Sequence, residues 1–441
     1  MPKSYVYKLN TQLSIITLLF STILIWSSLV SAAGNENSAN AEKTALAWYA
    51  TALELVKTTP GNSPPVVSRL FGYMGLVLHE TVGYSTPASQ TLLAKLNDAP
   101  EIRRPQSEQI HLDTAINQAM SHLLLRFFAA NSFENKFKII SLRQQLEDAM
   151  TLEITALNYA YSKAWGVHVA DQVFSWSQKD AENADIQAAE FFNSRDAHYA
   201  GAWEATLPDF APALLPSWGW RRSFVPQSTE SCTIEAPPAF SWDKGSDFYK
   251  EAEAVYSTSL ELTSEQKAIA QFWADGAGKT ATPPGHWISI AIAVLAKEKT
   301  DIEKASEVLA RLGIGLADSF ISCWRAKYEY NLMRPITYIR KTIDANWMSF
   351  ITTPPFPEYV SGHSVQSAAA ALVLSHFFGT SYSFTDSTHE IIGLQSRHFA
   401  SFDAAAKEAA ISRLYGGIHF PVGIENGLKQ GECIGNKVLA L

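Results

Sequence analysis

Apolar residues recur at helical spacing along most of the chain, the pattern that gathers them on one face of a helix. With Gly and Pro as breaks, helices are expected over 44–57, 64–83, 107–128, 137–161, 165–175, 246–257, 264–274, 287–297, 302–311, 318–333, 364–378 and 403–415. The stretch 385–401 is assigned to the same class. No segment alternates in the way a half-buried strand does, and no repeat of fixed period is present. The pattern changes at 208–242, which is rich in Pro, Trp and Ser and reads as a long connection. The expected fold class is therefore all-α, packed helices in two regions, 33–230 and 231–441, with the boundary near residue 230.

The first residues have a different pattern. Lys3 and Lys8 precede an uncharged apolar run at 13–30, and small residues follow at Ser31, Ala32 and Ala33. This is the arrangement of a signal peptide, expected at 1–32 with cleavage after Ala32 or Ala33. The alternative is an uncleaved anchor, since eighteen apolar residues are just enough to span a bilayer. Either way the body leaves the cytoplasm, to be periplasmic, extracellular or membrane-anchored; after cleavage no stable membrane insertion is expected.

Composition narrows the function classes. In 441 residues, 47% are hydrophobic and 18% charged, which excludes a disordered chain. A net charge of -8 without a basic stripe argues against nucleic-acid binding. A local cationic pocket in such a protein suits a small anion. Three cysteines allow at most one bridge and show no metal-ligand spacing, leaving Cys232 to Cys433 as an option that nothing in the spacing supports. Cys323, beside Trp324, is expected as a buried thiol. His79-Glu80 and His389-Glu390 begin like zinc-protease helices but lack the second His, so both read as ordinary helix residues.

Three pieces near the C-terminus carry chemistry. Lys327 and Arg334 are seven residues apart, about two turns, on the helix expected from Asp318 and ended by Pro335, and so are expected to share a face. Pro354, Pro355 and Pro357 rule out helix before Ser361-Gly362-His363, and an Ala-rich helix follows. That turn presents unpaired N–H groups, a Gly that lets an anion approach and a Ser hydroxyl. Arg413 lies in the last turn of the 403–415 helix, and His419 follows the Gly416-Gly417 stop. Each piece alone has an ordinary reading: two solvated bases, a Ser cap beside a surface His, and a cation at a helix end.

As an ordered set, Lys-x6-Arg-Pro, Ser-Gly-His and Ser-Arg-x5-His resemble the signature shared by vanadium-dependent haloperoxidases and type 2 phosphatidic acid phosphatases. Phe272-Trp273-Ala274-Asp275-Gly276, Thr282-Pro283-Pro284-Gly285-His286-Trp287 and Phe356-Pro357-Glu358-Tyr359 are similar to bacterial members of the haloperoxidase branch. The resemblance implies bundle-like halves with the site in the second. It implies vanadate held by Lys327, Arg334, Arg413, Ser361 and Gly362, with His419 as apical vanadium ligand and His363 as acid–base group. The reaction implied is oxidation of halide by hydrogen peroxide to a hypohalous species.

Phe356 matches a position near the halide in that family and reads equally as packing. Asp275 and His286 are candidates for supporting the site, with core or loop roles open. The family usually has an Asp four residues after the last His; here that position is Gly423. Glu425 reaching back, or a backbone carbonyl, are the substitutes considered for orienting His419. The alternative function is a phosphatase holding phosphate in the same pocket, with His419 attacking the phosphorus of a phosphate ester. A noncatalytic anion-binding protein is the third reading, motivated by Gly423.

Overall fold

The computed structural model describes residues 36–441 except 86, 88–89, 105–109, 131, 151–154 and 195–199, so the expected signal segment lies outside the described residues. Numbering helices of eight residues or more, the order is α1 Glu36–Thr58, α2 Pro64–Val82, α3 Leu112–Phe127, α4 Phe133–Ala149, α5 Ala156–Ser177, α6 Ala184–Asn193 and α7 Asp247–Leu260. There follow α8 Ser264–Phe272, α9 Thr282–Glu298, α10 Ile302–Tyr330, α11 Pro335–Thr342, α12 Gly362–Phe378, α13 Phe402–Tyr415 and α14 Pro421–Leu439. The all-α expectation holds. Among the described residues no helix is long and apolar enough to cross a membrane.

The central element is α10, one continuous helix where two were expected, over 302–311 and 318–333. Asp301 caps its start, accepting from the Lys304 N–H at 2.7 Å. Asn331 ends it in the left-handed conformation at φ 45°. Gly313, which reads as a break in sequence, instead lets α2 press against α10: a Cβ there would run into the Phe71 carbonyl. Farther along, α10 packs on α12 and α14, and α12 in turn on α13 and α14.

The Pro- and Trp-rich connection is pinned to this helix. The buried Asp318 carboxylate accepts from the N–H groups of Phe224 at 2.7 Å and Val225 at 2.9 Å and from the Ser228 hydroxyl at 2.8 Å. Because α2 of the first expected region packs along α10 of the second, residues 38–441 cluster as one unit. The change near residue 230 is a change of composition, across which packing continues. Cys232 and Cys433 form a disulfide that ties this connection to α14.

Two other expectations are corrected. The 137–161 and 165–175 assignments become α4 and α5, with a Thr155 side-chain cap opening the second. The stretch 385–401 is no helix. It holds the strands β1 Phe384–Asp386 and β2 Arg397–Phe399, paired antiparallel with Thr385 opposite His398. Three-residue strands are too short to show alternation.

Candidate active site

The site is assembled where α10 ends, α12 begins and α13 hands over to α14. Lys327 lies in the last turn of α10, fully buried. Arg334 is not on that helix: Asn331 ends α10 three residues earlier, and Arg334 is the residue before Pro335 at the start of α11. The shared helical face expected for the two cations is thus replaced by a turn that brings both to one loop.

That loop, 354–360, mounts both cations. Lys327 Nζ donates to the carbonyls of Pro357 at 3.0 Å, Glu358 at 2.8 Å and Val360 at 2.6 Å. Its donors are all engaged, so Lys327 contributes charge and positions the loop. Arg334 Nε donates to the Phe356 carbonyl at 2.8 Å, and its Nη1 to the Ile418 carbonyl at 2.9 Å. Phe356 lies beneath both cations, 5.1 Å from Lys327 Nζ and 4.8 Å from the Arg334 guanidinium carbon.

Ser361 caps α12, its hydroxyl oxygen accepting from the Ser364 N–H at 3.3 Å. Gly362 and His363 form the first turn and line a cavity of about 1060 Å³ together with Arg413, His419, Asp275 and Phe356. The Trp273 carbonyl takes a hydrogen bond from Arg413 Nη1 at 2.8 Å and lies beside the His363 ring.

His419 is oriented by Glu358. Its Nδ1–H donates to Glu358 Oε1 at 2.7 Å, and the same oxygen accepts from the Phe420 N–H at 3.0 Å. The tautomer this fixes leaves Nε2 with its lone pair directed to the site, 3.2 Å from Arg334 Nη1. The expectation for Glu425 is therefore wrong, since its side chain is exposed. Gly423 leaves the space that Glu358 fills, for a Cβ there would lie 2.6 Å from Glu358 Oε1. The carboxylate behind His419 comes from the loop, where the resemblance implied one at position 423 on α14. The absent Asp at 423 is itself the signal that another acid supplies it.

Burial sets the charge states. It lowers Lys327 to about 7, Arg413 to about 9 and Arg334 to about 10, and the neighbouring guanidinium groups add to the fall at Lys327 and Arg413. Burial and the facing cations hold His419 and His363 well below the ordinary imidazole value, so both are neutral near pH 7. Burial also pushes Glu358 up to about 7, opposed by Lys327 and Arg334.

Behind the Trp273 carbonyl lies a buried cluster. His286 Nδ1 is 2.9 Å from Asp275 Oδ2, and its Nε2 is 2.7 Å from Asp386 Oδ2. His389 Nε2 is 2.9 Å from Asp275 Oδ1. Asp275 lines the cavity, whereas His286 acts only through it. His389 is no ordinary helix residue, and Asp386 reaches the cluster from the unforeseen strand β1.

Comparison with known proteins places this arrangement. Superposition on a bacterial vanadium-dependent iodoperoxidase gives a TM-score of 0.80 with 35% identity, over 90% of this chain and 95% of that one. The chain belongs to the vanadium-dependent haloperoxidase family. A holo-type bacterial vanadium-dependent chloroperoxidase shares the haloperoxidase fold at TM-score 0.62 and 16% identity, covering 87% of this chain and 94% of the other. The profile of the VCPO second helical-bundle domain matches residues 307–441. The vanadium chloroperoxidase of Curvularia inaequalis is 26% identical over 152 residues, 29% of this chain and a quarter (25%) of that protein's length.

The residues present fit a tetrahedral oxyanion. Arg334 Nη2, Arg413 Nε and His363 Nε2 are buried without a hydrogen-bond partner in the protein. Other buried side chains also carry orphaned atoms, but here two guanidinium donors stand beside a helix N-terminus, the complement of an anion.

Proposed function

We propose that this haloperoxidase-family chain oxidises halide with hydrogen peroxide using vanadate held in the cavity at the start of α12. The observation that carries the reading is the set of orphaned groups on Arg334, Arg413 and His363 beside His419 Nε2, whose protein partner is the Arg334 guanidinium at 3.2 Å. Arg334, Arg413, the Ser361 hydroxyl and the Gly362 N–H would hold the oxyanion, with Lys327 adding charge through the loop it braces. Vanadate, when bound, supplies a Lewis-acidic centre for peroxide without changing oxidation state.

His419, kept neutral by burial and the neighbouring cations and in one tautomer by Glu358, would be the imidazole that ligates vanadium. His363, neutral and lining the cavity with an unpartnered Nε2, would serve as the acid–base group. The balance is halide plus hydrogen peroxide plus a proton giving hypohalous acid plus water. Phe356 and Trp324, their ring centroids 4.8 Å apart, make an apolar wall on which a weakly hydrated halide can rest. Iodide is the halide to test first, since the relative at 35% identity is an iodoperoxidase. Export is part of the proposal, supported by the Cys232–Cys433 bridge and the signal-like N-terminus.

The test is peroxide-dependent halogenation with iodide, bromide and chloride, with and without orthovanadate, beside hydrolysis of a phosphate ester. Vanadate-dependent halogenation is expected. His419→Ala should remove it by more than the roughly 10- to 100-fold that loss of an outer-shell partner costs, with the far-UV circular dichroism unchanged. Hydrolysis without halogenation would overturn the reading in favour of the phosphatase, and tight anion binding with neither activity would reduce the site to a binding pocket.

A further inference from the structure

The buried cluster at Asp275 has a composition that anchoring a loop does not require. Two carboxylates and two imidazoles from three separate segments meet there, all at least 96% buried. Among the described residues, the ion-pair partners of Asp275 and Asp386 are only His286 and His389, with no Lys or Arg. Arg413 is the nearby guanidinium, but it donates to the Trp273 carbonyl and faces the oxyanion cavity. A single proton shared by the imidazoles would leave one of the two negative charges uncompensated in a dry interior, whereas a divalent cation would neutralise both.

We propose that Asp275, His286 and His389 form a second metal site, taking one divalent cation of the zinc class, with Asp386 supporting it from behind. One ligand atom from each of the three residues can be chosen so that all lie within 4.8 Å of one another. The two Asp275 oxygens each face a different ring nitrogen at 2.9 Å. Tetrahedral sites with bonds of about 2.0–2.1 Å place their ligands about 3.3 Å apart, so the three side chains would draw together around the ion and leave its fourth position to water. Asp386 accepts from His286 Nε2–H, which leaves Nδ1 as the coordinating lone pair; a carboxylate behind a ligating imidazole is the usual support for such a ligand.

The rings are held in place before any ion arrives. His286 stacks on Trp273 with centroids 4.5 Å apart, and His389 packs edgewise on Phe272 at 5.3 Å. Two imidazoles and one carboxylate select zinc over magnesium or calcium, which take oxygen shells. The ion would join the loop after α8, the second turn of α9 and the turn after β1. It would therefore brace the Trp273 carbonyl that holds Arg413, whether or not vanadate occupies the cavity.

The experiment uses the purified untagged chain, stripped with EDTA and desalted, then titrated with zinc by calorimetry and assayed for metal by elemental analysis. One zinc per chain is expected to survive desalting and to raise Tm, with no such effect from magnesium or calcium. His389→Ala should retain none. Asp386→Asn, which keeps all three ligands, should bind about 10- to 100-fold more weakly. No retained zinc, or equal zinc in the parent and both variants, overturns the proposal. Should His389→Ala fail to fold, a parent Tm unmoved by zinc, or Asp386→Asn binding with parental affinity, overturns it equally.

Discussion

A carboxylate behind an imidazole fixes which ring nitrogen keeps its lone pair and makes that nitrogen a better donor. Here Glu358 performs this for His419 from a loop, in the space Gly423 leaves open. Glu358→Ala should weaken vanadate affinity about 10- to 100-fold, and Glu358→Gln, which keeps an acceptor, by less; the vanadate concentration giving half-maximal halogenation measures both. Gly423→Ala should reproduce part of the loss, because its Cβ would displace the carboxylate. The identities of Lys327, Arg334, Ser361, Gly362, His363, Arg413 and His419 were legible as a motif. Glu358 was not assigned a role, since its task is defined by a glycine 65 positions away that only folding brings near.

At the scale of elements, sequence signals located some helix starts, those at Pro64, Ser264 and Ile302 among them, and missed the helices at 184–193, 335–342 and 421–439, while glycines misled. Gly313 and Gly315 suggested a break, yet they lie inside α10, and Gly313 is small because α2 crosses there. The opposite error was made at Asn331, whose left-handed conformation ends α10 before Arg334 and has no proline to announce it. Gly313→Ala should drive α2 from α10 and cost on the order of 1–3 kcal/mol, as overpacking does. Thermal unfolding would register this as a lowered Tm. Because the same helix ends in Lys327, a fall in vanadate affinity should accompany it.

For the whole molecule, composition correctly signalled a helical body but suggested a division that packing does not respect. Interhelical contacts between distant segments, such as α2 on α10, leave no trace in local sequence pattern. The disulfide shows the same limit, since the cysteine count permitted it and only the fold chose Cys232 and Cys433. Their 201-residue separation closes a large loop, and the chain-entropy estimate for that constraint is about 5 kcal/mol. Reduction with dithiothreitol, or Cys433→Ser, should lower Tm by about 5–10 °C. Differential scanning calorimetry of oxidised and reduced chains gives the comparison directly.

The loop at 354–360 has one more implication. Its carbonyls brace Lys327 and Arg334, and its one acid steers His419, so two of the pocket's three cations and the imidazole hang from the same seven residues, while Arg413 is held by the Trp273 carbonyl. Loosening that strip, for instance with Pro354→Gly and Pro355→Gly together, should blur ligation and charge balance in step, giving a single graded decline where two independent supports would have failed one at a time.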